Sequence, residues 1–277
     1  MPNVQLRPHQ RSSMWRKMSF ANWRDAKDPS VYGRVEVDMG PAMQFAAAET
    51  ERTGEKVTPT HMIVRGLALG LRNVPASNVC LRLDRSYERQ DVDIFCQIAI
   101  PGEKPDLSGA TLRQVDTKTP LEIARELRDR AEKVRQGTDK EFGDTRKLLN
   151  FFPVFVMRFL LWLVGILSYT FNLDLRWAGL PRDPFGGAMV TSIGSLGIDE
   201  AYPPLVPMSR VSLLLAIGAL KDRPVVIDGE IVIRPVCVIT ATFDHRVMDG
   251  FVAGKLTQQV LRYMADPTAI EAEEARA

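Results

Sequence analysis

The stretch Phe243-Asp244-His245-Arg246-Val247-Met248-Asp249-Gly250 directly follows an apolar, β-branched run, residues 236–243. Helical spacing of apolar side chains then resumes over residues 251–264. The pattern predicts a strand, a tight turn and a helix, with His245 at the end of the strand. Loops on a rigid scaffold commonly hold catalytic side chains, and a histidine can accept and return a proton near neutral pH. His245 is therefore a candidate general base.

Asp249 lies four residues after His245, a spacing that can fold its carboxylate back under the turn. A simpler interpretation is that Asp249 caps the following helix and that His245 is only solvated. An isolated H-x-x-x-D-G pattern is short, so its spacing alone leaves both interpretations open.

The rest of the chain alternates between strand and helix patterns. Strands are predicted at residues 31–39, 92–100, 188–193 and 211–217, with a hairpin over 225–233 that turns at Asp228-Gly229. Helices are predicted at 41–52, at 59–74 behind Thr58, and from Pro120 behind a Thr119–Glu122 capping box. This irregular order, with no internal repeat, favours one layered α/β (α+β) domain over residues 1–277.

Composition narrows the classes of function. The 36 basic and 34 acidic residues leave a formal charge of +2, which gives no nucleic-acid-binding signature. Cys80, Cys96 and Cys237 are widely spaced, so we expect buried free thiols in a reducing cytoplasm. Three scattered histidines and no Cys cluster supply no metal site. The first 20 residues lack the apolar core of a secretory signal.

Four blocks in order carry a family resemblance: residues 191–199 (TSIGSLGID), 216–219 (AIGA), 224–230 (PVVIDGE) and 243–250 (FDHRVMDG). Together they resemble the catalytic domain of the acyltransferase component of 2-oxo acid dehydrogenase complexes. The likeness continues more weakly at residues 35–38 and in the helix after Thr58. It implies the chloramphenicol acetyltransferase-like two-layer fold, with a mixed sheet, packed helices and a homotrimeric assembly.

The resemblance also implies roles for individual residues. His245 matches the family's general base, which takes a proton from the thiol of CoA or of a dihydrolipoyl arm. Thr191 matches the hydroxyl that stabilises the oxyanion, with Ser192 as the neighbouring alternative. Asp249 matches a structural carboxylate paired with an arginine, for which Arg16 is the candidate. Asp244 and Gly250 are expected to support the turn.

The assembly and the substrates follow from the same likeness. The histidine of one subunit faces the hydroxyl of the next, so a homotrimer has its active sites at subunit interfaces. Acyl-CoA is the expected substrate, and a lipoyl group would have to come from another carrier protein, because no lipoyl domain is evident. The charged C-terminal residues 271–277 predict an isolated trimer rather than a larger core. The competing hypothesis is a catalytically degenerate trimeric scaffold, associated with a membrane or not.

Two stretches depart from the family pattern. Residues 101–110 differ from the family's usual segment after the central strand, which leaves the path of CoA open. Residues 138–185 form an expected apolar insertion, most apolar over 148–171. Its interpretations are a lid or trimer contact, an element on a membrane surface, or a membrane span, the last disfavoured by Asn150, Pro153 and Arg158. The expected localisation is cytoplasmic, with a peripheral membrane location also open.

Overall fold

The computed structural model describes residues 2–8, 29–100, 106–136 and 153–276, which contain nine strands. They are β1 (Leu6–Pro8), β2 (Ser30–Asp38), β3 (Val79–Arg82), β4 (Arg85–Arg89), β5 (Ile94–Ile100), β6 (Asp106–Leu112), β7 (Ala188–Ser192), β8 (Leu213–Ile227) and β9 (Glu230–Asp244). Six strands form a mixed sheet in the order β2-β9-β8-β7-β5-β6, in which β7 is parallel to both neighbours. The other three form a small antiparallel sheet in the order β1-β4-β3.

Helices cover one face of the six-stranded sheet. The described residues contain α1 (Gly40–Thr53), α2 (Pro59–Asn73), α3 (Pro120–Arg135), α4 (Val154–Gly165), α5 (Gly250–Ala265) and α6 (Pro267–Glu274). Alternate strand residues such as Val190, Leu215 and Ile239 point into one core with Leu67 of α2 and Leu256 of α5. The predicted layered α/β architecture is thereby confirmed.

The longest hairpin differs from its sequence prediction. The sequence predicts three separate strand segments over residues 211–243, but the structure has two paired 15-residue strands, β8 and β9. The turn lies at Asp228-Gly229 as predicted. Pro224 and Pro235 interrupt the apolar pattern without ending the strands. In the described chain β2 ends opposite Val236, so this outer half of the hairpin is two-stranded, where proline is tolerated.

Two of the sequence blocks, residues 191–199 and 216–219, pack against each other at the end of β7. Backbone hydrogen bonds of 2.9 and 3.0 Å join them. A Cβ on Gly194 would lie 2.5 Å from the carbonyl oxygen of Gly218, and one on Gly218 would lie 2.0 Å from that of Asp199. Glycine is needed at both positions because the two backbones approach so closely.

Both predicted helix caps are present. Thr119 and Glu122 form the capping box of α3. At the start of α2 the backbone N–H of Thr58 donates to Nδ1 of His61 over 3.1 Å. Burial lowers the pKa of His61 to about 4, so the ring is neutral and accepts this bond near pH 7.

The three cysteines are free and buried, as predicted. Burial raises the pKa of Cys96 to about 12 and that of Cys237 to about 11. Burial also raises the pKa of Cys80. Because the thiolate is the reactive form, all three side chains act as small apolar residues of the interior.

The insertion is described from residue 153 onward, as α4 followed by a π-helical turn, Ile166–Thr170. Tyr169 of this turn is buried, and its hydroxyl donates to Asp183 over 3.3 Å. Arg89 forms a buried ion pair with the same carboxylate. Asn3 donates from its side-chain amide to the Ser168 carbonyl over 3.2 Å, so the insertion is attached to the chain start and to β4. None of the described helices is long and apolar enough to cross a bilayer.

The acidic C-terminal segment packs against α2. Glu271 of α6 forms a 2.8 Å ion pair with Arg65, whose side chain is buried, and accepts the Tyr263 hydroxyl over 2.9 Å. Glu274 pairs with Arg72. These carboxylates therefore stabilise the fold of their own chain.

Candidate active site

The turn that carries His245 is held by the backbone. The His245 amide donates to the Pro29 carbonyl over 2.8 Å, which attaches the turn to the start of β2. Nδ1 of its half-buried ring lies 3.0 Å from the Met248 carbonyl oxygen. A carbonyl can only accept, so Nδ1 carries a hydrogen, and in the neutral form of the ring the lone pair is on Nε2. This arrangement fixes the tautomer that a general base requires.

Asp244 is the carboxylate that closes the turn. It is buried and accepts from the guanidinium of Arg246 over 2.7 to 3.1 Å. It also accepts from the Arg246 backbone N–H over 2.9 Å. Its carbonyl receives the amides of Val247 and Met248 over 3.1 and 3.0 Å. Asp244 is therefore bonded to each of the three residues that follow His245 in the turn.

Asp249 is the N-cap of α5, because its Oδ1 accepts the Val252 amide over 3.0 Å. Gly250 is the first residue of that helix. The helix-capping interpretation of Asp249 is thus present in the structure. Arg16, its expected partner, lies outside the described residues.

Thr191 and Ser192 end β7, and both are half-buried. Val190 faces the helix-covered core while Met189 packs on the opposite face with Phe95 and Leu214. By strand alternation Thr191 shares the Met189 face, which the helices do not cover.

The structure does not bring His245 and Thr191 together within one subunit. Thr191 is in register with Ala216 of β8, which is in register with Thr240 of β9. His245 lies two strands across and five residues along, about 20 Å away by strand geometry. A site that uses both residues must therefore combine two subunits.

Two of the cavities among the described residues differ in their lining, one being apolar and the other polar. An apolar cavity of about 230 Å³ lies between α5 and strands β2 and β9, and its wall includes Phe243 and Met248, close to His245 in sequence. A polar cleft of about 440 Å³ lies at the base of the insertion, lined by Arg89, Arg113 and Asp183 among others. None of the candidate catalytic residues lines the polar cleft.

Two groups at the turn have no sequence signal. The carbonyl of Pro29 accepts from the backbone amide of His245, and the carbonyl of Met248 accepts from its ring. Backbone acceptors are common to every residue type, so only the folded geometry reveals them.

A family description matches residues 7–142 and 183–272 of the chain: 2-oxoacid dehydrogenases acyltransferase (catalytic domain). The chain belongs to this acyltransferase family. The resemblance carried by the four sequence blocks is confirmed. Residues 143–182, which include α4, fall outside the match.

Relatives and solved structures agree with the assignment. The dihydrolipoyllysine-residue acetyltransferase component of the pyruvate dehydrogenase complex of Rhizobium meliloti is 26% identical over 247 residues, covering 86% of this chain and 45% of that protein. This acyltransferase-family chain therefore spans about half the length of the curated relatives it matches.

Solved structures of low sequence identity superpose on this fold. A probable dihydrolipoamide acetyltransferase from Listeria monocytogenes superposes with a TM-score of 0.64 at 20% identity, covering 94% of both chains. Chloramphenicol acetyltransferase superposes with a TM-score of 0.54 at 15% identity, covering 94% of this chain and all of the other. The predicted chloramphenicol acetyltransferase-like fold is confirmed.

Proposed function

We propose that this family member is a CoA-dependent acyltransferase that works as a homotrimer, with His245 of one subunit and Thr191 of the next forming each site. The observation that carries the proposal is the 3.0 Å contact from Nδ1 of His245 to the Met248 carbonyl. It leaves Nε2 as the basic nitrogen, on a turn whose sequence matches the family's catalytic block.

In the proposed reaction Nε2 of His245 takes the proton from a thiol, of CoA or of a dihydrolipoyl group. The sulfur forms a bond to the thioester carbonyl carbon, and the carbonyl electrons move onto its oxygen. The Thr191 hydroxyl donates a hydrogen bond to this oxyanion. In an interface that contains little water, this bond stabilises the transition state by a few kcal/mol. The carbon–sulfur bond to the thiol that originally carried the acyl group then breaks, and the leaving thiolate takes the proton from His245.

Assembly is part of the proposal, because Thr191 and His245 are about 20 Å apart within one subunit by strand geometry. Thr191 lies on the sheet face that the helices leave uncovered, where a second subunit can approach. A closed three-fold ring supplies one complete site per interface.

The proposed partners are acyl-CoA and, as acceptor or donor, a lipoyl group carried by a separate protein. Thiol release from acetyl-, succinyl- and longer acyl-CoA, with dihydrolipoamide as one acceptor, tests this chemistry. We expect His245→Ala to lower the rate by 10²–10⁴-fold while its sedimentation remains that of the wild type. A trimer that releases no thiol with any donor would instead favour the degenerate scaffold.

The shared site has its own test. Thr191→Val should lose activity, whereas Ser195→Ala, an exposed hydroxyl that donates to the Ser192 carbonyl, should not. Mixed trimers of His245→Ala and Thr191→Val subunits should regain activity, since about a quarter of randomly assembled interfaces combine both intact residues. Mixing cannot restore a site contained within one subunit. Ser192→Ala alone losing activity would assign the oxyanion hydroxyl to Ser192.

A further inference from the structure

The insertion presents an exposed aromatic surface, formed by Phe159 and Trp162 of α4, and two more exposed aromatic side chains follow at Phe171 and Trp177. These side chains are 57%, 59%, 59% and 84% exposed, respectively. The rings of Phe159 and Trp162, three residues apart on one helix face, lie 5.8 Å apart between centroids. Large aromatic groups exposed together mark a surface for binding rather than a core.

This aromatic surface is fixed to the domain. At the end of α4 the Tyr169 ring is buried with Val4 and Cys80. The amide side chain of Asn172 donates to the Val4 carbonyl over 2.8 Å and accepts the Val4 amide over 2.6 Å. The outward residues are therefore held in a defined orientation, because the inward residues are bonded to the chain start.

The only charged residue of α4 is an arginine, Arg158. No acidic residue occurs from position 145 to 173, whereas this segment contains Arg146, Lys147 and Arg158. Arg158 is exposed beside Phe159. Arg82 donates to the Thr170 carbonyl over 2.7 Å, which brings the β3–β4 turn, with the exposed Asp84 and Arg85, to the same region.

We propose that the aromatic surface binds the headgroup region of an anionic phospholipid bilayer, with α4 lying along it. Trp and Phe insert at the boundary between headgroups and acyl chains, and arginines beside them pair with lipid phosphate. A helix that exposes two aromatic rings and whose one charged residue is an arginine matches a negatively charged interface in shape and in charge.

A second copy of the chain is the competing occupant. The acyltransferase family match omits residues 143–182, so the part of the domain shared with the family does not include this surface. A protein partner that covered Arg158 would also have to supply a carboxylate, whereas lipid phosphate supplies the charge directly.

The test is co-sedimentation of the full chain with sucrose-loaded vesicles, either of phosphatidylcholine alone or with phosphatidylglycerol added. We expect binding to the mixed vesicles that weakens as salt is raised. Trp162→Glu should weaken it by at least about tenfold through the loss of buried apolar area. Arg158→Gln should weaken it about fivefold on the anionic vesicles only.

The matched control is Ile231→Glu, which places the same charge on a side chain that is 77% exposed at the outer end of the β8–β9 hairpin. It should bind as the wild type does. The proposal is overturned if the wild type ignores both kinds of vesicle, or if Ile231→Glu weakens binding as much as Trp162→Glu. It is also overturned if Trp162→Glu reduces the oligomer mass without lipid, since a second copy would then cover the surface.

Discussion

The turn that carries His245 and the insertion are both held by hydrogen bonds, but these bonds differ in how far they reach along the chain. The turn is fixed mainly by bonds inside residues 244–252, where Asp244, Met248 and Asp249 each accept a bond from a residue at most three positions away. The insertion is fixed by bonds that reach more than 160 residues along the chain, from Asn3 and Val4 to Ser168 and Asn172.

This difference determines how a substitution in each region affects the protein. A turn made of local bonds forms with its own helix and loses geometry when one bond is removed. A region held by distant partners depends on burial and on charges that have no local replacement. Damage to the turn should therefore appear as lost activity, and damage to the insertion as lost stability.

The largest expected effect is at the base of the insertion. Asp183→Ala leaves the buried Arg89 guanidinium without its carboxylate and removes the acceptor of the Tyr169 hydroxyl. We expect the free energy of unfolding to fall by about 3–5 kcal/mol in chemical denaturation. Asp129→Asn, at an exposed ion pair with Arg128, should change it by less than about 1 kcal/mol. Equal losses in the two variants would contradict the importance of burial.

The pH dependence of the free energy of unfolding tests the helical layer, where His61 lies at the start of α2. His61 has a pKa of about 4 in the folded chain, below the ordinary value of 6.5, because burial disfavours its charged form. Unfolding therefore takes up a proton between these values, and stability present above pH 6.5 is lost as the pH falls towards 4. The loss should reach about 3 kcal/mol, and His61→Asn should flatten that part of the unfolding profile.

A smaller effect is expected at Asp244, on kinetics rather than on folding. Asp244→Asn weakens the charged bonds to Arg246 and loosens the turn that presents His245. We expect kcat to fall about tenfold, with KM for acyl-CoA unchanged. Arg246→Ala should cause a similar loss, and the double variant no further loss, because the pair acts as one unit. Unchanged kcat in both variants would remove Asp244 from the positioning role.

The smallest effect is expected at the helix cap. Asp249→Ala removes the bond to the Val252 amide and should lower the free energy of unfolding by about 1 kcal/mol. Asp249→Ser retains a capping oxygen and should recover most of that stability. If Asp249→Ser does not recover the free energy of unfolding while Asp249→Asn does, the side chain has a role beyond the cap.

The sequence predicts the local parts of this molecule well. The caps at Thr58 and Thr119, the hairpin turn at Asp228-Gly229 and the helix after His245 all depend on residues within a few positions of one another. Strands β1, β3, β4 and β6 and helix α6 are not predicted, because these segments are short or because polar residues and glycine mask their periodicity. Gly109 of β6 is one such case, since a Cβ there would lie 2.1 Å from the Phe95 ring.

The candidate site was only partly accessible to sequence reasoning. His245 and Thr191 are found by their position in family blocks, but their separation within one subunit follows from the strand order. The base of the insertion could not be anticipated, since nothing local links Arg89 to Asp183. Their pairing results from the packing of segments that are distant in sequence.

The depth of the three cysteines has a chemical consequence for the thioester exchange proposed above. Any thiolate on the protein would be a rival nucleophile, able to attack the thioester carbonyl, release CoA and capture the acyl group. Burial keeps Cys80, Cys96 and Cys237 protonated and out of reach. In the proposed reaction the protein is thereby protected from acylation by the thioester, so that the acyl group is left for the intended acceptor.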